Sequence, residues 1–377
     1  MQKKHLLLAA TTMIAAAGLA ADARFFEAAV IPEATLLYQV DASRIAKDTP
    51  ISQKISRLRD AMAENDSLNE VLGGRMQAYA TFLEVLRTFQ KELEIEEEDV
   101  VRMQSTVCLK TLTFGQGKTD PTAIDGLTVM EFSKPVNLND IAKAASRISA
   151  NQGLVSEAVA DTAAGVPMQK MNAVVDPATN AVITLAFALP DPATPTVMYV
   201  GQETSLRAAL ERFSTGQPAA LPEALATMKQ QIPGDAAVAF LFSPTDTMRD
   251  LLRTRATAPN QAPAFAMTAK TLAEMPGVAF HAAVKEKIDL RLAFNMRTAE
   301  DAAIFKNVAD GMVIASLKMM VMQKIGRPTP LTESMQSTVE GSCVAITAAI
   351  TGDDLDIFSA GSAAAAPAGQ PLGVPAQ

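Results

Sequence analysis

Histidine and cysteine, which most often carry acid-base, nucleophilic or metal chemistry, are scarce in this chain. Its 377 residues include two histidines and two cysteines. His5 lies in a predicted leader, so His281 is the one histidine that a catalytic arrangement could use. Strand alternation places His281 on the face opposite Phe280, across from Arg291 in a simple hairpin register. Because a cation is a poor neighbour for a general base, we expect a half-exposed sheet residue and assign no catalytic residue.

The two cysteines, Cys108 and Cys343, each fall in a predicted strand, one in either half of the chain. In an oxidising compartment a disulfide between them would join the two halves. The alternative is a pair of separate buried thiols, which pack as small apolar side chains. With one usable histidine and two separated cysteines, a histidine or cysteine metal cluster cannot form, so we predict no metal site and no cofactor.

Two other stretches have some features of ligand sites. Glu92–Asp99 is strongly acidic but lacks the spaced oxygen ligands and the glycine of a calcium loop, so a solvated helix end is favoured. Residues 115–119, Gly-Gln-Gly-Lys-Thr, have a shorter glycine spacing than a phosphate loop, and Asp120-Pro121 follows where a helix would be needed. We interpret this stretch as a hairpin loop.

The last candidate is a run of methionines in a predicted helix. Residues 312–322 are almost uniformly apolar, with methionines on more than one face: Met312, Met319, Met320 and Met322. Such a helix is either buried on two sides or lines an apolar groove. We expect core packing, in which Met312 continues a stripe formed by Phe305 and Val308. The alternative is that the four methionines bind an apolar ligand.

These candidates lie on a repeated unit of strand, turn, strand and capped helix. Apolar residues alternate along residues 278–284 and 288–294 with the two-residue period of half-buried strands, and a polar turn separates the two. Thr298 can then cap a helix, with Asp301 in its first turn. The same spacing recurs at two places: Asn137 with Asp140, and Thr351 with Asp354.

Residues 35–213 and 236–358 show a similar order of elements, which we interpret as a divergent internal duplication. The sequence therefore predicts an α+β protein of two similar halves, each an antiparallel sheet with helices packed on one face. The predicted segments are a signal peptide (1–23), an N-terminal α+β half (24–213), a linker with a short helix (214–235), a C-terminal α+β half (236–359) and a disordered Ala/Pro/Gly tail (360–377). We interpret residues 24–32 as a short tether.

The N-terminus has the pattern of a signal peptide. Lys3 and Lys4 precede an apolar run over residues 6–20, and Ala21-Asp22-Ala23 fits a cleavage site. The apolar run is too short to span a membrane, and the sequence has no other long one, so no transmembrane segment is expected after cleavage. We predict export to the periplasm or beyond. The net charge of −8 disfavours nucleic acid as a partner.

Three stretches carry a resemblance to known proteins: the strand at residues 36–41 before an amphipathic helix, the acidic Glu96–Val101 segment leading into a strand, and Val197–Gly201 running into Leu206–Leu210. In these patterns the chain resembles uncharacterised secreted repeat proteins found in bacteria of the planctomycete and verrucomicrobial kind. The resemblance spans most of the mature chain. It implies no known activity and no site residues.

The scarcity of catalytic residues favours a non-catalytic protein. We expect an exported binding or scaffolding protein of the bacterial cell envelope, whose partner is an envelope protein or an apolar small molecule. The first alternative is a carrier of an apolar ligand such as a lipid, which the methionine helix suggests. The second is a hydrolase that uses carboxylates alone, although no tryptophan and only three tyrosines are present to stack against sugars.

Overall fold

The fold is built on one antiparallel sheet with helices on both faces. The computed structural model describes residues 23–45, 49–55, 91, 93–95, 99–109, 124–151, 158–176, 181–193, 195–257, 263–325 and 327–357. Most of the predicted signal peptide, the Gly-rich loop at 115–119, the tail at 360–377 and half of the acidic Glu92–Asp99 stretch lie outside these residues.

Twelve strands form the sheet, in the order β11-β12-β10-β9-β8-β1-β2-β3-β7-β6-β5-β4. Their bounds are β1 Leu36–Asp41, β2 Val100–Leu109, β3 Ile124–Phe132, β4 Val159–Ala163, β5 Val166–Asp176, β6 Ala181–Ala188, β7 Val197–Gln202, β8 Val238–Phe242, β9 Gly277–Val284, β10 Ile288–Asn295, β11 Gln336–Glu340 and β12 Cys343–Ile350. The strands predicted at residues 36–41, 278–284 and 288–294 correspond to β1, β9 and β10, and β4 and β11 form the two edges of the sheet.

Nine α-helices lie within the described ranges, besides the short helical stretches at 50–55 and 352–357. They are α1 Ala23–Ala28, α2 Leu138–Asn151, α3 Glu203–Thr215, α4 Glu223–Lys229, α5 Asp246–Ala256, α6 Pro263–Glu274, α7 Ala299–Val308, α8 Ala315–Ile325 and α9 Pro330–Ser334. A π-helix, Ala309–Ile314, connects α7 to α8. Three predicted caps are confirmed: the side chains of Thr298, Asn137 and Thr351 each accept a backbone N–H of the first turn that follows.

The α+β class is confirmed, but the two sets of strands share a single sheet. β1 from the first half pairs with β8 from the second, with Leu36 opposite Phe242 and Val40 opposite Val238. Each strand also pairs with a strand of its own half, so the sheet continues without a break across the centre. The internal duplication remains a prediction.

Helices cover both faces of the sheet and not one face as predicted. Successive side chains of a strand point to opposite faces. In β7, Tyr199 is buried in a cluster with Leu206 of α3, whereas its neighbour Met198 is buried in a cluster with Ile141 of α2. A sheet of this width has apolar side chains on both faces, and a single layer of helices would leave one of them exposed to water.

The predicted tether at residues 24–32 is part of the core, and the prediction is wrong. Phe25 and Phe26 are 6% and 8% exposed. The hydroxyl of Tyr199 donates to the carbonyl of Phe25 at 2.6 Å, and burial raises the pKa of Tyr199. Arg212 donates to the carbonyls of Ala28 and Val30 at 2.9 and 2.8 Å. The segment therefore buries its apolar side chains and satisfies its backbone acceptors as α1 crosses the sheet.

The edge strand β4 is held to α3 by a four-residue ion network. Asp161 of β4 pairs with Lys170 at 2.8 Å and with Arg207 of α3. Glu203 pairs with the same two cations, at 3.3 and 2.8 Å. Hydrogen bonds from Lys170 and from the backbone of Thr162 lower the pKa of Asp161 to about 2.

This network predicts an acid-dependent contribution to stability. The pKa of Asp161 is depressed from its ordinary value of 3.8. The stability that Asp161 contributes to the folded state is therefore complete above about pH 4 and is lost as the pH falls through about 2. We expect Asp161→Asn to be slightly less stable than the unmodified protein near pH 6, and the difference to vanish near pH 2. Urea unfolding at several pH values measures it. A difference that stays constant down to pH 2 contradicts the expectation.

Candidate functional site

The segment from α7 to α8 begins as an ordinary surface helix packed on the sheet. Thr298 caps α7 by accepting from the N–H of Asp301 at 3.0 Å. Ala302, Phe305 and Ala309 are buried and follow the three- and four-residue steps of one helix face. The ring centroid of Phe305 lies 4.9 Å from that of Phe294 on β10. This first part of the segment is therefore packed against the sheet.

The π-helix changes which residues face the sheet. In a continuous α-helix Met312 would follow Phe305 and Ala309 on the buried face, as the sequence predicted. In a π-helix the backbone hydrogen bonds join residues five apart, so the next residue on the buried face comes five positions later. Ile314, five residues after Ala309, is buried at 6% exposure, whereas Met312 is 49% exposed. The α-helical stripe holds as far as Ala309, and the π-helix then turns Met312 toward water.

The π-helix is itself anchored through Asp310. This carboxylate accepts from Lys306 at 2.6 Å and from the hydroxyl of Ser337 on β11. The two hydrogen bonds, that of Lys306 first, lower the pKa of Asp310. The turn is thus fixed to the edge strand at the point where the helix leaves the sheet.

Beyond the π-helix, α8 combines an apolar sequence with a solvent-exposed position. None of its described side chains, from Ala315 to Gln323, is buried. We define the methionine surface as Met312, Leu317, Met319 and Met322, which are 49%, 38%, 56% and 43% exposed. The expected core packing is therefore wrong for Met312, Met319 and Met322. The side chain of Met320 lies outside the described part.

This exposure reverses the expected energetics of truncation. Truncating a buried methionine to alanine lowers the free energy of unfolding by about 2–5 kcal/mol, whereas a surface substitution changes it by about 0.5 kcal/mol. We expect Met312→Ala and Met319→Ala to behave as surface changes. Met296→Ala, at a site only 3% exposed, is the matched buried control. Urea melts compare the three; a loss of several kcal/mol at Met319 would restore the core interpretation.

His281 lies opposite Arg291, as predicted, but it is buried and not half-exposed. Its exposure is 9%, and its other cross-strand neighbour is Ala239. Burial and the nearby Arg291 lower the pKa of His281. Neither neighbour can serve as a nucleophile or as an orienting carboxylate, so these strands do not assemble a catalytic triad around His281. Across the described residues, no three histidine, cysteine or acidic side chains come together as a metal site.

The two cysteines do not form the possible disulfide. Cys108 on β2 and Cys343 on β12 are both buried free thiols. Four strands, β10, β9, β8 and β1, lie between them in the sheet. At about 4.8 Å per strand the separation is about 24 Å, far beyond the reach of a disulfide. The thiols pack as small apolar side chains, as in the alternative interpretation.

Comparisons with known proteins add little to this geometry. No family model and no curated protein matches the chain. A solved structure entitled "Structure of crystal form I of TP0453" is 9% identical, covers 89% of this chain and 96% of that chain, and has a TM-score of 0.34. Likeness at this level supports no functional inference. Among the described residues, no helix combines the length and apolar character needed to cross a membrane.

Proposed function

We propose that the protein is an exported, non-catalytic binding protein of the bacterial cell envelope, and that a partner protein docks on its methionine surface. One observation carries the proposal: α8 is apolar in sequence, yet none of its described side chains is buried. Large apolar side chains that stay exposed on one helix mark an interaction site. Methionine is common at such sites because its flexible, polarisable side chain adapts to different partners.

The charges around the surface indicate the character of the partner. The chain as a whole carries a net charge of −8. Between residues 311 and 327, however, the charged residues are Lys318, Lys324 and Arg327, with no acid among them. Opposite charges across an interface favour the correct partner and its orientation. An amphipathic helix with acidic residues beside its apolar stripe fits this surface best.

The alternatives fit the geometry less well. A carrier encloses an apolar ligand in a concave site, whereas the methionine surface is the outer side of a helix. A carboxylate hydrolase needs a pair of free carboxylates in a cleft. The buried carboxylates of the described part, Glu131 and Asp354, are used otherwise: Glu131 pairs with Arg102, and Asp354 accepts backbone N–H groups.

Export is the part of the proposal that rests on sequence alone. We expect the natural protein to begin at Arg24 or within a few residues of it, as the Ala-x-Ala order at 21–23 indicates. Intact mass of the protein isolated from its own cells measures this directly. A mass that still includes residues 1–20 contradicts the prediction. The resemblance to secreted repeat proteins of planctomycete and verrucomicrobial bacteria is likewise a proposal.

Site-specific photocrosslinking tests the docking surface. A benzophenone side chain at position 319 should give a defined protein adduct in whole cells, and one at Glu211, an exposed position on α3, should not. The adduct partner is then purified and its affinity measured. We expect Met319→Glu with Met322→Glu to weaken binding at least about tenfold, while Glu211→Gln leaves it unchanged.

Two further outcomes decide the question. Co-sedimentation with vesicles of phosphatidylethanolamine and phosphatidylglycerol, lost in the double glutamate variant and without any protein adduct, would favour lipid as the occupant. Equal adducts at positions 319 and 211, or a purified partner that binds the double variant normally, would overturn the proposal.

A further inference from the structure

A polar groove lies on the sheet face opposite α7. Leu292 and Phe294 of β10 pack toward α7, so Arg291 points to the other face. There β9, β10, β11 and β12 form the floor of a depression of about 410 Å³. A row of directly opposite residues crosses this floor: His281, Arg291, Thr347 and Gln336. The groove is independent of the methionine surface.

Small side chains create the space. Ala283 and Ala349 line the groove beside the polar row, and Ala239 is the neighbour of His281 on the side away from Arg291. Leu290 and Ala348 also contribute to its walls. A ligand in this space would therefore contact apolar surface as well as charged groups.

His281 is the histidine of the groove, and its ring nitrogens are accessible from it. It is only 9% exposed and lines the groove. No hydrogen bond connects its ring to another described residue. An imidazole can engage two hydrogen-bond partners. The ring is therefore free to donate to a ligand in the groove.

Arg291 already binds a carboxylate through two hydrogen bonds, one to each oxygen. Its Nη1 and Nη2 donate to the two carboxylate oxygens of Glu340 at 3.1 and 2.6 Å. The Glu340 side chain is 56% exposed, and that of Arg291 is 28% exposed. An ion pair with one partner so exposed contributes little to stability. An incoming carboxylate can therefore replace Glu340 on the guanidinium without disturbing the fold.

We propose that this groove binds a small organic carboxylate. The guanidinium of Arg291 leaves Glu340 and turns into the groove to hold the carboxylate, to which the imidazole of His281 and the hydroxyl of Thr347 also donate. The apolar part of the ligand lies against Ala283 and Ala349. At the rim Lys285 pairs with Asp235 at 2.5 Å and Lys287 pairs with Asp289 at 3.0 Å, so the guanidinium is the main attraction for an anion.

Protonation of His281 should strengthen binding. The charged groups around its ring are Arg291 on β10, Asp235 before β8 and Lys285 in the turn after β9. Burial and Arg291 hold its pKa below the ordinary value, so the ring is neutral near pH 7. A bound anion favours the protonated ring, so affinity should rise as the pH falls from about 7.5 to about 5.5, where the ligand stays ionised.

Calorimetric titration of the full chain with pentanoate tests the site, with uncharged pentanamide and inorganic phosphate as comparison ligands. We expect pentanoate to bind and pentanamide not to bind. Arg291→Gln should weaken binding at least about tenfold, and Arg291→Lys, which keeps the charge without the fork, should weaken it less. Glu340→Gln should raise affinity about threefold or more, because it removes the competing carboxylate.

His281→Asn separates a binding role from a structural one. It should flatten the pH dependence of affinity between about pH 5.5 and 7.5 while the circular dichroism spectrum stays unchanged. The proposal is overturned if Glu340→Gln shows no pentanoate binding, if Arg291→Gln binds as the unmodified protein does, or if phosphate binds as tightly as pentanoate.

Discussion

Truncating Phe25 to alanine is expected to lower the free energy of unfolding by about 3–5 kcal/mol. Phe25 is 6% exposed, and its ring stacks on Phe213 with 4.7 Å between centroids. Removing the ring leaves a cavity between α1 and α3 that the surrounding helices and sheet cannot fully close. Phe25→Leu, which keeps most of the apolar volume, should cost less than half as much.

Glu27→Ala is the matched control in the same helix. Glu27 is exposed, so the change should stay within about 0.5 kcal/mol. Urea unfolding at a fixed pH compares the three variants. If Phe25→Ala is as stable as Glu27→Ala, the segment does not pack in solution and the tether predicted from sequence is correct after all.

Replacing Asp354 with alanine should cost about 2–4 kcal/mol, because the carboxylate is fully buried and satisfies several donors at once. Its oxygens accept from the N–H of Leu331 at 3.0 Å and from the N–H and hydroxyl of Thr351 at 2.9 and 2.8 Å. Alanine leaves two backbone N–H groups without an acceptor. Asp354→Asn keeps one acceptor oxygen and should be milder.

Asp301→Ala provides a control with the same spacing at the surface. Asp301 follows Thr298 as Asp354 follows Thr351, but Asp301 is only partly buried, so water can replace its contacts and the cost should stay below about 1 kcal/mol. Thermal and urea unfolding of both alanine variants gives the comparison. Equal losses at the two sites would show that burial of Asp354 does not determine its contribution.

The central strands could be predicted because their sequences alternate or are continuously apolar. The two edge strands could not. β4 reads Val-Ala-Asp-Thr-Ala and β11 reads Gln-Ser-Thr-Val-Glu. An edge strand pairs on one side only and has no need of a continuous apolar pattern. β4 pairs only with β5 and β11 only with β12, so each edge strand depends on that one partner.

At the candidate sites, too, features set by local sequence could be predicted, whereas features set by contacts with distant elements could not. The register of His281 with Arg291 followed from the hairpin. Its burial did not, because that depends on Pro233 and Asp235, which line the same groove, and on Ala239 of β8. Met312 was predicted to be buried because an α-helix was assumed throughout. The anchoring of Asp310 to Ser337 on another element accompanies the π-helix, and periodicity cannot reveal that contact.

The packing of α1 against distant elements also determines the stage of synthesis at which the chain can fold. The donors to its backbone carbonyls lie far along the chain. Tyr199 lies 174 residues after Phe25, and Arg212 lies 184 residues after Ala28. β1, the next element, needs β8, some two hundred residues further on. Contacts so distant in sequence make folding slow and leave apolar segments uncovered while the chain is incomplete. During synthesis Phe25 and Phe26 therefore remain uncovered until most of the sheet has emerged.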